Sequence, residues 1–244
     1  MFLYQPASGY RYNSDSIFLY DFAASFEPKN RLLDVGCGVG ILSLLLSRDF
    51  ALTTAIVDKQ ENMLSYARHN FFLNGLEAEA YQGDFLSFKS SEKYDTIISN
   101  PPFYDREVTQ SKDKHLNAAR YAHHLPFVPF AKKVKTLLKP RGRFVFCYDA
   151  KQIDRVLSNL KLNNINPEVI RFVHPKIDRE SKLVMIAARI NSRSMTKVMP
   201  PLIVFDAQSR YLPEAKRAFE RAGTHSVSGE WEDEIEKEKD WSQS

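Results

Sequence analysis

The sequence predicts an α/β fold: a mostly parallel sheet with helices on both faces and an antiparallel hairpin at one edge. Three observations lead to this prediction. Short apolar runs with the length of buried strands alternate with segments whose apolar residues recur every three to four positions. A glycine-rich loop separates the first such strand from the first buried helix. Two strands at 168–173 and 183–190 are joined only by a proline-containing turn, which is typical of an antiparallel hairpin.

Composition limits the class of protein. A chain of 244 residues with 43% hydrophobic residues can bury one large core. The opening residues are too few and too polar for a signal peptide, and no stretch reaches the roughly 20 apolar residues of a membrane span. Neither Cys37 nor Cys147 has a second Cys or a His at metal-ligand spacing. We therefore expect a cytoplasmic protein with no metal, no disulfide scaffold and no membrane partner.

Charge is distributed unevenly along the chain. The formal net charge is +4, but residues 224–244 carry seven acidic residues and two lysines, so the first 223 residues carry about +9. A body this basic suits a nucleic-acid partner, and it equally suits a solvated basic surface. We expect an N-terminal segment at 1–30, a main domain at 31–223, and an acidic, disordered tail at 224–244. The oligomeric state stays open.

The first helix is expected where apolar residues at helical spacing begin, at 17–22. Ser14 or Asp15 is the expected N-cap of this helix. Asp15 could equally contact a ligand.

The glycine loop follows a strand at 31–35 and precedes a buried helix at 41–46. Its glycines fall as G-x-G-x-G, which differs from the G-x-G-x-x-G dinucleotide fingerprint, and Asp34 lies two residues before the first of them. A second strand at 55–58 ends in Asp58, where an acid can hold ribose hydroxyls. The alternative for Asp58 is that it caps the next helix.

That next helix is predicted at 61–74, where Asn74-Gly75 ends it. A third strand at 78–82 is followed by Gly83-Asp84-Phe85, which places another acid at another strand end. Asp84, beside an aromatic residue, could meet the amine and face of an adenine ring. A capping role for Asp84 is equally compatible with the sequence.

The strand at 94–99 ends in an elbow formed by Asn100-Pro101-Pro102-Phe103. Neither proline has an N–H to donate, and Pro101 keeps Asn100 out of the helical region. Such an elbow could accept hydrogen bonds from an exocyclic amine while Phe103 stacks on the ring that carries it. The alternative is an ordinary strand-to-loop turn.

A long irregular stretch at 104–125 follows the elbow, and its basic residues could contact phosphates. The remaining elements are predicted to be a helix at 127–138, a turn at 139–142, a strand at 143–148, a helix at 153–162, the hairpin, an apolar run at 202–205 and a terminal helix at 211–222.

Taken together, these motifs resemble class I methyltransferases that use S-adenosylmethionine. The resemblance implies a Rossmann-like fold with a seven-stranded sheet. It implies cofactor contacts from the first motif, from the acids of the next two strand ends and from the N-terminal segment: Asp34, Gly36, Cys37, Gly38, Gly40, Asp58, Asp84, Phe85 and Asp15. The elbow resembles the catalytic motif of enzymes that methylate a planar-bound amine: Asn100, Pro101, Pro102 and Phe103.

Within that group the chain is most similar to bacterial enzymes that methylate an adenine beside the anticodon of a valine tRNA. The stretches at 12–19, 100–104 and 119–121 carry this likeness, and 12–19 resembles a cofactor-covering segment. Phe103 departs from many relatives, which have Tyr, and the acidic tail has no counterpart in the family. An RNA substrate, with tRNA favoured, would meet the aromatic and basic residues after the elbow: Tyr104, Arg106, Lys112, Lys114 and Arg120.

Three alternatives remain open. Protein glutamine N5-methylation and ribosomal guanine N2-methylation use the same amine-binding motif. An RNA-binding protein that keeps the fold and has lost catalysis would retain the basic body, although the intact glycines and the intact elbow argue against it.

Overall fold

The computed structural model describes residues 1–7, 11–101 and 125–229. Its helices are α1 (Ser14–Ala24), α2 (Ile41–Asp49), α3 (Glu61–Leu73), α4 (Phe127–Leu137), α5 (Ile153–Leu162) and α6 (Pro213–Ala222). Its strands are β1 (Phe2–Gln5), β2 (Asn30–Val35), β3 (Leu52–Asp58), β4 (Glu79–Gln82), β5 (Tyr94–Ser99), β6 (Leu138–Asp149), β7 (Ile165–His174), β8 (Leu183–Ile190), β9 (Lys197–Val198), β10 (Leu202–Ile203) and β11 (His225–Ser228).

The main sheet has nine strands among the described residues, in the order β10-β7-β8-β6-β5-β2-β3-β4, with β9 also paired to β7. Strands β2 to β6 run parallel to one another. Strand β8 lies between β6 and β7 and is antiparallel to both. The predicted α/β class, with a mostly parallel sheet and an antiparallel hairpin, is confirmed. Over the described part of the chain the sheet has nine strands instead of the predicted seven, because the two-residue strands β9 and β10 pair in parallel with β7 and cover the edge of the hairpin.

The strand order reverses between β2 and β5. The chain moves from β2 through α2 and α3 to β4 in one direction, and from β5 through α4 to β6 in the other. Right-handed crossovers in opposite directions place their helices on opposite faces of the sheet. Both faces are therefore covered, which explains why β2 and β5 are continuous apolar runs. The gap above β2 and β5 is the topological switch point, where ligands bind in folds of this kind.

A second, small sheet joins the two ends of the described chain. Strand β1 pairs in parallel with β11, from Phe2 with His225 to Gln5 with Ser228. The start of the predicted acidic tail is therefore an ordered strand, which corrects the boundary that we expected at residue 224. Composition did not reveal it because the charged residues begin only at 230, outside the described residues.

Two local predictions were wrong. Asn13, not Ser14 or Asp15, caps α1, since the Asn13 side chain accepts a 3.1 Å bond from the Asp15 N–H. Residues 139–142 do not form a separate turn but bulge out of one continuous strand, β6, where the register with β5 shifts between Tyr94 and Thr96. Gly142 is required there, because a Cβ would lie 2.9 Å from the Lys139 carbonyl oxygen.

Asn70 of α3 links three parts of this architecture. Its side chain is fully buried. It accepts from the Tyr4 N–H at 2.7 Å and donates to the Tyr4 carbonyl at 3.0 Å and to the Val39 carbonyl at 2.9 Å. One amide thus joins β1, α3 and the segment that precedes α2.

We expect Asn70→Ala to lower the free energy of unfolding by about 2–4 kcal/mol, because it removes the buried amide and its hydrogen bonds to the backbone of Tyr4 and Val39. Urea unfolding monitored by circular dichroism measures the change. Asn159→Ala is the matched control, since the Asn159 side chain bonds only to Arg155 within its own helix. A loss below about 0.5 kcal/mol for Asn70→Ala would contradict this account.

Candidate active site at the switch point

Hydrogen bonds join four neighbouring strand ends into one row. The Ser99 hydroxyl at the end of β5 donates to the Val35 carbonyl at the end of β2, at 2.7 Å. The Gly36 N–H donates to the Val57 carbonyl of β3 at 2.9 Å, and the Gly83 N–H after β4 donates to the Asp58 carbonyl at 2.9 Å. The predicted glycine loop, the two strand-end acids and the elbow therefore lie along one edge of the sheet.

The glycine loop is tied to Asp58. Gly36, Gly38 and Gly40 all have positive φ, the left-handed region that favours glycine. The Gly38 N–H donates to Asp58 Oδ2 at 2.8 Å, and Asp58 Oδ1 accepts from the Gln60 N–H at 2.8 Å. Burial raises the pKa of Asp58, while these N–H bonds act to lower it. Asp58 is thus not the N-cap of α3, which is Gln60, so the capping alternative for Asp58 is wrong. Its carboxylate instead holds the segment ahead of the helix, and it has about four lone pairs, more than the N–H groups of Gly38, Lys59 and Gln60 occupy.

Gly40 allows the loop to approach α3. A Cβ at Gly40 would lie 3.2 Å from the Ala67 Cβ and 3.5 Å from the Phe71 ring. The first turn of α2 therefore packs closely on α3 at this point.

Asp34 is completely buried below the loop. Its Oδ2 accepts from the Ser43 hydroxyl at 2.7 Å and from the Ser43 N–H at 3.2 Å. Its Oδ1 has no hydrogen-bond partner among the described residues. Burial raises the pKa of Asp34 to about 7; the Ser43 bonds oppose this shift, and the nearby charge of Asp58 adds to it.

Asp84 and Phe85 follow β4. Asp84 Oδ1 accepts from the Leu86 N–H at 2.9 Å, and its Oδ2 lies 3.5 Å from Lys59 Nζ. The Phe85 ring is buried against Phe88 and Phe130. Asp84 thus caps the turn that follows β4, and Phe85 belongs to the core; the adenine contact remains a prediction for both.

Asn100 is held from two sides. Its Nδ2 donates to Ser16 Oγ of α1 at 3.2 Å, and its Oδ1 accepts from the Cys147 thiol of β6 at 3.0 Å. Pro101 is buried next to it. Asp15 precedes Ser16 and is partly buried, and burial raises the pKa of its carboxyl group against the effect of the Asn13 amide.

The other predicted residues lie outside the described part of the chain, so their roles remain predictions. They are Pro102 and Phe103 of the elbow and the substrate-binding candidates Tyr104, Arg106, Lys112, Lys114 and Arg120. Cys37 is described; its thiol donates to the Gly38 carbonyl at 3.5 Å, and burial raises its pKa well above the usual value. Within residues 1–7, 11–101 and 125–229, no group of His, Cys, Asp and Glu is arranged to hold a metal, and no helix could cross a membrane.

Sequence reasoning missed Cys147, Ser43 and Ser99. Cys147 stands in the apolar run of β6, where a cysteine looks like a small hydrophobic residue. Ser43 and Ser99 are buried hydroxyls whose partners, Asp34 and Val35, are identified by the packing of α2 above β2 and by the pairing of β5 with β2, respectively. No spacing rule in the sequence signals any of the three.

Comparison with known proteins agrees with this geometry. The model of the methyltransferase small domain family matches residues 14–124. A tRNA1(Val) (adenine(37)-N6)-methyltransferase of Aliivibrio fischeri is 33% identical over 128 residues, covering 50% of this chain and 53% of that protein. The protein of the same name from Phocaeicola vulgatus is 25% identical over 191 residues, covering 78% and 81%. Over the part of the chain that holds the glycine loop and the strand-end acids, the chain is thus similar to proteins of the methyltransferase small domain family.

Solved structures share the fold of this protein. A predicted O-methyltransferase of Agrobacterium tumefaciens superposes with a TM-score of 0.67 at 14% identity, covering 88% of this chain and 100% of that one. A ribosomal protein L11 methylase of Lactobacillus delbrueckii gives a TM-score of 0.54 at 19% identity, covering 74% and 78%. The match to the Aliivibrio protein spans about half of that relative's length.

The residues present fit S-adenosylmethionine. The three positive-φ glycines leave room for close approach of a ligand, and Asp58 offers acceptor lone pairs at a strand end. The unpartnered Oδ1 of buried Asp34 is matched to a donor such as the ammonium of an amino acid.

Asp34 gives the protein a pH-dependent stability. Its pKa is raised from 3.8 to about 7 in the folded state, so folded protein holds this proton to higher pH than the unfolded chain. The free energy of unfolding should therefore fall as pH rises from about 4 to about 7 and change little above that range.

We expect Asp34→Asn to remove this dependence and to be more stable than wild type at pH 8 by a few kcal/mol, since one pH unit of separation is worth about 1.4 kcal/mol. The Asn oxygen can still accept both Ser43 bonds. Urea unfolding across pH 4–8 provides the test, with Asp178→Asn in an exposed loop as control. Parallel pH profiles for wild type and Asp34→Asn would refute the assignment.

Proposed function

We propose that this protein is an S-adenosylmethionine-dependent methyltransferase, which transfers a methyl group to the exocyclic N6 amine of an adenine in tRNA. The observation that carries the proposal is the position of Asn100-Pro101. It lies at the end of β5, joined through Ser99 to the strand that bears the glycine loop, and the Asn100 amide is fixed from two sides. The similarity to proteins named tRNA1(Val) (adenine(37)-N6)-methyltransferase supports adenine as the acceptor.

The glycine loop, the strand-end acids and Asp15 would hold the cofactor. We assign the methionine part to the loop and to Asp34, the ribose hydroxyls to Asp58, and the adenine to Asp84 and Phe85. Bound S-adenosylmethionine supplies an electrophilic methyl group on a sulfonium. The chain must therefore orient an amine and exclude water beside the loop.

Asn100 and Pro101 would orient that amine. Asn100 Oδ1 has two lone pairs, of which the Cys147 thiol takes one, so the other can accept an amine hydrogen. The Pro101 carbonyl would accept the second hydrogen. These acceptors draw the nitrogen lone pair out of conjugation with the ring, aim it at the methyl group, and stabilise the positive charge that develops on nitrogen. Neither a metal nor a side-chain nucleophile is needed for this chemistry.

Phe103 would stack on the base, with Tyr104 beside it, once the nucleotide is turned out of its RNA loop. The basic residues at 106, 112, 114 and 120 would hold phosphates. The excess of about nine positive charges in the first 223 residues supports an RNA partner.

The decisive experiment is transfer of radiolabelled methyl from S-adenosylmethionine to bulk bacterial tRNA that lacks its own modification, followed by nucleoside analysis. We expect label in N6-methyladenosine. Label in ribosomal guanine or in protein glutamine would replace the adenine assignment with one of the rival amine acceptors. Cofactor binding without transfer to any fraction would favour an RNA-binding protein that has lost catalysis.

Two variants should separate chemistry from cofactor binding. We expect Asn100→Ala to lower the rate of methyl transfer by about 10²–10³-fold, the usual effect of removing one preorganised polar contact in an active site, and to leave the cofactor Kd within about twofold. We expect Asp58→Ala to raise the cofactor Kd by about tenfold or more, because it removes charged hydrogen bonds to the ribose.

Single-turnover assays and isothermal titration calorimetry measure the two effects, with Asp178→Ala as the control for loss of an exposed carboxylate. Normal turnover by Asn100→Ala would show that the amide does not orient the amine. Unchanged cofactor affinity in Asp58→Ala would place the ribose elsewhere.

A further inference from the structure

The Asn100 amide is clamped by two buried side chains that come from different elements. Ser16 lies on α1 and is 2% exposed, and Cys147 lies on β6 and is fully buried. Asn100 Nδ2 donates to Ser16 Oγ at 3.2 Å, and the Cys147 thiol donates to Asn100 Oδ1 at 3.0 Å. Each contact meets one end of the amide.

These contacts determine how the amide is turned. The torsion about the Cβ–Cγ bond of asparagine is broad, and its oxygen and nitrogen ends have nearly the same shape. In this structure the Cys147 thiol donates to the oxygen end of the amide, and the Ser16 hydroxyl accepts from the nitrogen end. Rotation of the amide by 180° would break both bonds and turn Nδ2, which can only donate, toward the sulfur.

Cys147 keeps the proton that this arrangement requires. Burial raises the pKa of the Cys147 thiol well above its usual value, and the negative charge of Asp15 acts in the same direction. The neutral thiol therefore persists as a donor across the physiological pH range, and it occupies only one of the two lone pairs of Oδ1.

We propose that Ser16 and Cys147 are positioning residues, which fix the rotation of the Asn100 amide so that the second lone pair of Oδ1 faces the acceptor amine. This inference rests on the proposed role of Asn100 in amine methylation. The alternative is that both side chains have a structural role alone: Cys147 fills space in the core, and the Ser16 hydroxyl bonds to Asn100 because it would otherwise be buried without a partner. The two accounts differ in whether the chemical step depends on these side chains.

The contact itself can be tested without any substrate. The S–H stretch lies in an infrared region free of other protein bands, and its frequency falls when the thiol donates a hydrogen bond. The band that disappears in Cys147→Ser belongs to Cys147, which separates it from that of Cys37. We expect this band to move to higher frequency in Asn100→Leu, which removes the acceptor at similar size, and to stay in place in Val145→Ala. An unmoved band in Asn100→Leu would overturn the proposal.

The effect of these positioning residues on methyl transfer can be tested by kinetics. We expect Cys147→Ala and Ser16→Ala each to lower kcat by about three- to tenfold, with KM for tRNA and the cofactor Kd unchanged. Cys147→Ser keeps a donor of similar size, and we expect it to stay within about twofold of wild type. The matched controls are Val145→Ala, which removes a similar volume two residues away on β6, and Ser25→Ala at the C-cap of α1. We expect both controls to retain the wild-type kcat.

A double-mutant cycle completes the test. In the Asn100→Ala background, Cys147→Ala should lower the residual rate no further, because the group that it positions is gone. An equal loss in both backgrounds, or a Cys147→Ala enzyme with the wild-type kcat, would overturn the proposal. If wild type labels protein and not RNA, the RNA assignment fails, and the same kinetic comparison on that protein then decides the positioning role.

Discussion

The pairing of β2 with β5 is the constraint on which the rest of the site depends. At this point the chain turns from one half of the parallel sheet to the other, so the glycine loop after β2 and the Asn-Pro step after β5 open toward the same gap. The Ser99 hydroxyl, bonded to the Val35 carbonyl, fixes the two strand ends against each other. The proposed cofactor and acceptor sites are thereby neighbours through sheet topology, although Gly40 and Asn100 are 60 positions apart in the sequence.

The buried carboxyl groups that could bind a ligand at this edge of the sheet lower the stability of the protein without ligand. Asp34 and Asp58 are both buried, and burial raises the pKa of each carboxyl group, so their charged forms are disfavoured in the absence of a ligand. Hydrogen bonds from Ser43, Gly38 and Gln60 offset part of that penalty. Oδ1 of Asp34 has no partner among the described residues, so its loss of hydration on burial is not offset. A cationic donor at that oxygen would stabilise the folded protein as it binds.

The sequence predicted what depends on local pattern and missed what depends on contacts between distant segments. Apolar runs and the G-x-G-x-G loop located β2, β3 and β5, together with the acids at the ends of β2 and β3 and the elbow after β5. Strand β11 was missed because its residues are mostly polar and exposed, and it forms only by pairing with β1. The residues 139–142 looked like a turn because Pro and Gly are turn formers, but the pairing of β6 with β5 on both sides of the bulge keeps them within one strand. Cys147 gave no signal, since its role depends on the side chain of Asn100 across the sheet.

The proposed orientation of the Asn100 amide likewise depends on contacts between distant segments. An Asn-Pro step supplies acceptors wherever it occurs, but an amide that can rotate presents an oxygen only part of the time. In this protein the orientation comes from α1 on one side and β6 on the other, so the N-terminal segment takes part in the site through Ser16 as well as through the predicted cofactor contact at Asp15. Strand β1 of that segment pairs with β11 and bonds to Asn70, which also bonds the Val39 carbonyl beside the glycine loop. Hydrogen bonds thus link the two strands of the small sheet, which are far from the motifs in sequence, to the segments that carry the site.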